Sequence, residues 1–214
     1  MHFRETVLSS QPSRWWWYLG VPVGIAAGAM LAVWLRTSAG DALVLRRGEQ
    51  IDGAFTRRLD PAAPPGAQAP NGRFLLVAFG YTFCPDVCPT TLLAVHRALV
   101  LLGAGAEHVV PIFVTVDPAR DTADRLRAYV ANFDPRIRSV SDPAAVEMAV
   151  KAFHARAEKR IIAGENYAMD HTAVLYVLDP AHRVIAALPE TSPGLPANIA
   201  RALAGDPGFT AAAR

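Results

Sequence analysis

A chain of 214 residues that is 52% hydrophobic, with a formal net charge of +2, is long enough for one cored domain and an appendage. Its charge balance and the lack of clustered Lys/Arg argue against any partner held by charge alone, nucleic acid first among them. Six histidines and two cysteines are too few for a disulfide framework, so the cysteine pair must be judged by its local setting.

Residues 1–14 read as a short tail. From Trp15 to Leu35 there is no charged residue, and the run, opened by Trp15-Trp16-Trp17-Tyr18, is long enough to cross a hydrocarbon core of about 30 Å. A cleaved signal would carry a shorter apolar region of about 7–15 residues with a small-residue site behind it, for which Thr37-Ser38-Ala39 is a weak match. Residues 15–35 are therefore expected to be an uncleaved transmembrane anchor. Arg4 and Arg14 on one side and Arg36, Arg46 and Arg47 on the other give no orientation by charge.

Residues 36–50 read as a tether, 51–205 as the domain and 206–214 as a C-terminal tail. Pro61, Pro64, Pro65 and Pro70 make residues 60–70 an irregular surface loop. Phe74 to Phe79, bounded by Gly72 and Gly80, is a continuous apolar run of the kind buried on both faces of a sheet. After it, Pro89 suits the first position of a helix that carries Leu92, Leu93, Val95, Leu99, Val100 and Leu102 to Gly103. Further expected elements are a strand Val109–Val116, a helix Thr122–Phe133 capped by Asp121 or Thr122, a short strand Ile137–Val140, and a helix from the Asp142-Pro143 start to about Ala157. A strand Lys159–Ala163, a polar loop Gly164–Asp170, a strand His171–Leu178, a turn at Asp179-Pro180, a strand Val184–Ala187 and a helix Leu195–Leu203 complete the domain. Alternating strands and helices predict an α/β mixed sheet of four to five strands with helices on both faces, its last strand pair antiparallel.

Both cysteines, Cys84 and Cys88, fall between the end of the first strand and the start of the first helix. Each precedes a proline, which disfavours helical backbone, so both are expected outside the regular helix, able to close into a disulfide or open around a metal. The helix N-terminus should favour both thiolates. His171, at a strand entrance, reads first as a capped surface or core histidine, whereas His2, His96, His108, His154 and His182 read as solvated or structural. Two thiolates and an imidazole could bind a soft or borderline metal with an open position, copper or zinc, or the thiols could exchange disulfides with the histidine incidental. A closed structural zinc site lacks a fourth ligand, and a blue-copper site needs two His and one Cys with a weak Met, the opposite of the ratio here, although Met169 stands near His171.

The string Tyr81-Thr82-Phe83-Cys84-Pro85-Asp86-Val87-Cys88-Pro89, then Val114 to Thr122, Tyr129 to Pro135, Asp170-His171-Thr172-Ala173 and Tyr176 to Pro180, resembles the Sco/SenC family in order and spacing over roughly residues 53 to 187. The resemblance implies a thioredoxin-like domain on one N-terminal transmembrane helix, held in the inner (cytoplasmic) membrane and exposed on the periplasmic or extracytoplasmic side. It implies a copper ion bound by Cys84, Cys88 and His171, the two cysteines also being a candidate redox-active disulfide. The partners implied are the copper-accepting subunit of cytochrome c oxidase, other copper chaperones and thiol reductants. The alternatives are a thiol-disulfide reductase acting on the acceptor's cysteines, or a redox or copper sensor. Asp86, Asp117 and Asp170 are candidates to support the site or a docking partner.

Overall fold

The computed structural model describes residues 45–51, 55, 72–164 and 166–212. The expected anchor at 15–35, the tail before it, most of the tether and the proline-rich stretch at 60–70 lie outside the described residues.

Strand β1, Phe74–Gly80, is buried at all seven positions, as a run with no polar face must be. It lies at the centre of a five-stranded sheet whose other members are β2 (Val109–Thr115), β3 (Arg138–Val140), β6 (Val174–Leu178) and β7 (Val184–Pro189), in the order β3-β2-β1-β6-β7. β1 pairs parallel with β2, Phe74 opposite Val109, and antiparallel with β6, Val77 opposite Tyr176. β6 and β7 are antiparallel, as the tight turn between them requires. Pro111 sits within β2 opposite Leu76.

Side chains alternate across β1, and each face meets its own helices. Helix α1 (Val87–Leu102) covers the face of Gly80 and Ala78, since a Cβ on Gly80 would meet the Cys88 sulfur of that helix. Helix α2 (Ala123–Ala131) lies on the same side, where Tyr129 packs on Phe113, the partner of Ala78. Helices α4 (Leu195–Ala204) and α5 (Pro207–Ala212) join them: α4 packs on α1, and Phe209 of α5 meets Phe74 edge to face. On the opposite face Phe153, just after α3 (Pro143–Ala152), gathers Phe79, Tyr176 and Phe55 at centroid distances of 5.5, 5.1 and 5.6 Å. The mixed sheet covered on both faces is the architecture that the apolar runs predict.

Caps agree with local chemistry. Thr122 accepts from the Arg125 N–H at the start of α2, and Asp142 accepts from Ala145 at the start of α3 with Pro143 at its first position. Helix α1 with the 3₁₀ turn that follows it, Val87–His108, is long and apolar enough to cross a membrane by length and composition, but its Cys88, Leu92, Val95 and Leu99 are buried in the domain core. Residues 45–51, assigned mostly to the tether from sequence, lie along β7: Gly48 donates to the Val184 carbonyl, Val184 to Glu49, and Ile51 to His182. Leu45 and Ile51 are buried in the core.

Two expectations are corrected. The polar loop Gly164–Asp170 is mostly a strand: β5 (Asn166–His171) pairs antiparallel with β4 (Ala157–Ala163) as a separate two-stranded sheet. His171 is accordingly the last residue of β5 and does not begin β6, which starts at Val174. The expected strand Lys159–Ala163 is the body of β4; β5 read as a loop because none of its positions is fully buried and its polar residues give no apolar face to impose the period of two that marks a strand.

Candidate metal centre

At Gly80 the central strand ends and the chain turns. The Cys84 N–H donates to the Tyr81 carbonyl at 3.1 Å, closing a tight turn that places the Cys84 side chain in front of α1. The helix starts at Val87, not at Pro89 as expected, so Cys88 lies in its first turn and only Cys84 stays outside. The N–H groups of a first turn have no acceptor within the helix, so Pro89 gives up no bond there. Gly80 makes the approach of strand and helix possible: an added Cβ would stand 2.6 Å from the Cys88 sulfur and 2.7 Å from the Phe113 ring.

His171 reaches the same place from the end of β5. Its Nε2 is 3.7 Å from the Cys88 sulfur, its Nδ1–H donates to the Thr172 carbonyl at 3.0 Å, and its ring meets Tyr81 edge-on at 6.0 Å. That bond at Nδ1 leaves the Nε2 lone pair for a ligand. The donor atoms of Cys84, Cys88 and His171 all lie within 4.8 Å of one another, and neither cysteine is in a disulfide.

The two sulfurs are electrostatically unequal. The Cys84 thiol is lowered to about 5, first by the hydrogen bond from the Cys88 thiol, then by the backbone N–H groups of Cys88 and Asp86 and by His171, with burial opposing. The Cys88 thiol moves strongly upward, because the same hydrogen bond stabilises its protonated form and burial adds to it. Only one of the two expected thiolates therefore forms without a cation. A bound metal ion would reverse this for Cys88, since its charge is the largest in the site.

Around the turn runs a hydrogen-bond network that the cysteine and histidine motifs do not announce. Asp121, fully buried, accepts from the Thr82 N–H at 3.0 Å, the Thr82 hydroxyl at 2.5 Å and the Thr115 hydroxyl at 2.6 Å. It thus serves the cysteine turn and leaves the α2 cap to Thr122. Asp117 pairs with Arg120 and accepts from the Tyr167 hydroxyl at 2.9 Å. Asp86 stands at the helix N-cap with no side-chain bond to the helix, its carbonyl taking the Thr90 N–H. Asp170 turns away: it neighbours His171 in a strand, hence faces the other side of the hairpin, where it pairs with Arg160 at 3.2 Å. His96 binds Asp134 at 2.9 Å, and buried His182 sits in the turn before β7 at positive φ. Glu190, buried behind α1, accepts from the Thr91 hydroxyl at 3.1 Å and is pushed up to about 8 by burial. Sequence reasoning passed over Glu190, Tyr167 and Arg120, since nothing in local spacing joins them to the cysteines.

Comparison with known proteins matches residues 45–205 to the SCO1/SenC family model. A SCO2-like protein of Rickettsia prowazekii is 35% identical over 119 residues, covering 51% of this chain and 55% of the relative. A mitochondrial SCO2 homolog of Bos taurus is 34% identical over 116 residues, 43% of its length. The chain thus spans about half the length of the curated relatives it matches, or less. Among solved structures, copper-bound ScoI of Bradyrhizobium japonicum is 35% identical with a TM-score of 0.55, over 62% of this chain and 86% of that one. Apo Sco1 of Thermus thermophilus is likewise 35% identical, TM-score 0.56, over 62% and 78%. The fold is thioredoxin-like α/β.

Proposed function

Since the chain belongs to the SCO1/SenC family, we propose that it is a copper metallochaperone: it takes up copper through Cys84, Cys88 and His171 and delivers it to the binuclear copper site of cytochrome c oxidase. The observation that carries the reading is the convergence of two sulfurs and one imidazole nitrogen within 4.8 Å of one another. Two soft thiolates and a neutral imidazole suit Cu(I) and leave the ion open on one side, which ligand exchange with an acceptor needs. Loading needs both sulfurs as thiolates and displaces the proton that Cys88 still holds, so uptake requires the reduced pair; oxidation of Cys84 and Cys88 to a disulfide by an external two-electron oxidant, such as a partner's disulfide, removes two of the three donors and releases the ion. Residues 15–35 would hold the domain at the outer face of the inner membrane, close to the copper-accepting subunit, with other copper chaperones or thiol reductants upstream.

A second reading has one observation in its favour. Cys84 ionises early while Cys88 holds its proton, which is how an attacking and a resolving thiol divide their work in disulfide reduction. One variant separates the two readings. In the reduced full chain, about one copper ion per molecule is expected, and His171→Ala should abolish tight binding while disulfide reduction by the cysteines persists. Unchanged copper content in His171→Ala, or in Cys88→Ser, would sink the chaperone reading.

A further inference from the structure

The hairpin that carries His171 is not part of the main sheet: among the described residues β4 and β5 pair only with each other. The cysteines belong to the central strand and to α1. A site that draws ligands from both needs a fastening between them, and the structure places one residue at the junction. The Arg120 guanidinium carbon lies 3.6 Å from the Tyr167 ring centroid on β5, 4.6 Å from that of Phe83 and 5.7 Å from that of Tyr81 on the cysteine turn. Its Nη1 donates to the Tyr167 carbonyl at 3.1 Å, and its Nε pairs with buried Asp117. Asp117 in turn receives the Tyr167 hydroxyl. Tyr167 and His171 lie four residues apart on one strand, so they share a face of the hairpin. At the hairpin's base Arg156 and Thr172 bond each other, the Thr172 N–H to the Arg156 carbonyl at 3.1 Å and the Arg156 N–H to the Thr172 hydroxyl at 2.7 Å.

We propose that Arg120 is a positioning residue of the metal centre, clamping the His171 hairpin to the cysteine turn through Tyr167 on one side and Phe83 and Tyr81 on the other. The inference rests on the copper reading above for its ligand and on geometry alone for the clamp. A planar guanidinium stacks on three rings and still donates at its edge to a carbonyl and a carboxylate, which an ammonium cannot do. Asp121 completes the bracket: it belongs to the same loop as Asp117 and Arg120 and ties that loop to Thr82.

The test uses the reduced full chain with Cu(I) as probe, titrated against a chromophoric chelator, beside amide exchange over residues 166–171 and the Cys84–Cys88 equilibrium with glutathione. Arg120→Lys keeps the pairing with Asp117 but not the stacking; Tyr167→Leu removes the ring. Each is expected to weaken Cu(I) about tenfold to a hundredfold, the range seen when groups that orient metal ligands are lost, and to speed exchange in the hairpin. Tyr167→Phe, which keeps the ring, should restore most of the affinity. In Tyr167→Leu the glutathione equilibrium should shift far less than the copper affinity, because the Cys84–Cys88 bond contains no hairpin atom and feels the hairpin only through the 3.7 Å contact of His171 with Cys88. Parent-like affinity in both Arg120→Lys and Tyr167→Leu, beside a weakened His171→Ala, overturns the clamp and leaves the copper reading standing. If His171→Ala itself binds like the parent, the copper reading fails and the clamp is judged on amide exchange: faster exchange in Tyr167→Leu sustains it, unchanged exchange overturns it. A glutathione equilibrium in Tyr167→Leu shifted as much as the copper affinity would mean general loosening and also overturns it.

Discussion

Cys84 and Cys88 are the same residue type in nearly the same sequence context, each followed by proline, yet their protons behave in opposite ways. The difference comes first from the hydrogen bond that Cys88 donates and Cys84 accepts, and then from depth. Cys84 sits outside the helix, accepting from backbone N–H groups and from the other thiol, whereas Cys88 points inward at 1% exposure and acts as donor. For a thiol lowered to about 5 the thiolate dominates above that pH, so its alkylation by iodoacetamide should rise with a midpoint near 5 and be flat by neutrality. At pH 7 a limited dose should label Cys84 and spare Cys88, as peptide mass spectrometry would read. Equal labelling, or a midpoint in the ordinary thiol range, would contradict the assigned hydrogen bond. The Cys-x-x-x-Cys spacing identifies both residues as chemically special, but it is silent on which sulfur ionises, because that depends on the side of the turn each one faces.

Between elements, the narrowest contact is that of β1 with α1 at Gly80. Placing a methyl group there would drive it into the Cys88 sulfur and the Phe113 ring, at 2.6 and 2.7 Å, and neither neighbour is a free chain end. Gly80→Ala should therefore cost roughly 1–3 kcal/mol of stability by overpacking and should lower copper affinity by displacing Cys88, with thermal unfolding and chelator competition as the two measurements. Parent-like values in both would show that the helix can shift without loss. The β4–β5 hairpin presents the reverse situation. With β4 exposed along nearly its whole length, it depends on the Arg120 and Tyr167 junction for its placement, and its strands were partly missed in the sequence because no buried face patterns them. The central strands, β1 and β2, were legible for the complementary reason: burial on both faces leaves an unbroken apolar run.

At the scale of the whole molecule, Glu190 couples folding to pH. It follows β7, lies 3% exposed beside Thr91 of α1, and burial raises it to about 8. A carboxyl raised in the folded state holds its proton there more tightly than in the unfolded chain. Its contribution is full below the usual carboxyl range and is lost as pH rises through about 8. Glu190→Gln should flatten that decline between the usual carboxyl range and about 8 and leave the melting curve near pH 5 little changed; a parent-like slope in the variant would place the effect elsewhere. The residue pattern alone determined the α/β class, the central strand and the helix after it, and the cysteine pair, because apolar periodicity and a tight cysteine spacing are local properties; His171 joined that pair only through the family resemblance. The tertiary structure decided that Cys88 belongs to the helix, that His171 ends a hairpin, and that Arg120, Asp117 and Tyr167 join hairpin and turn. Those facts depend on contacts across 83 residues of chain between Cys88 and His171 and 47 between Arg120 and Tyr167, a distance over which neither period nor propensity carries information.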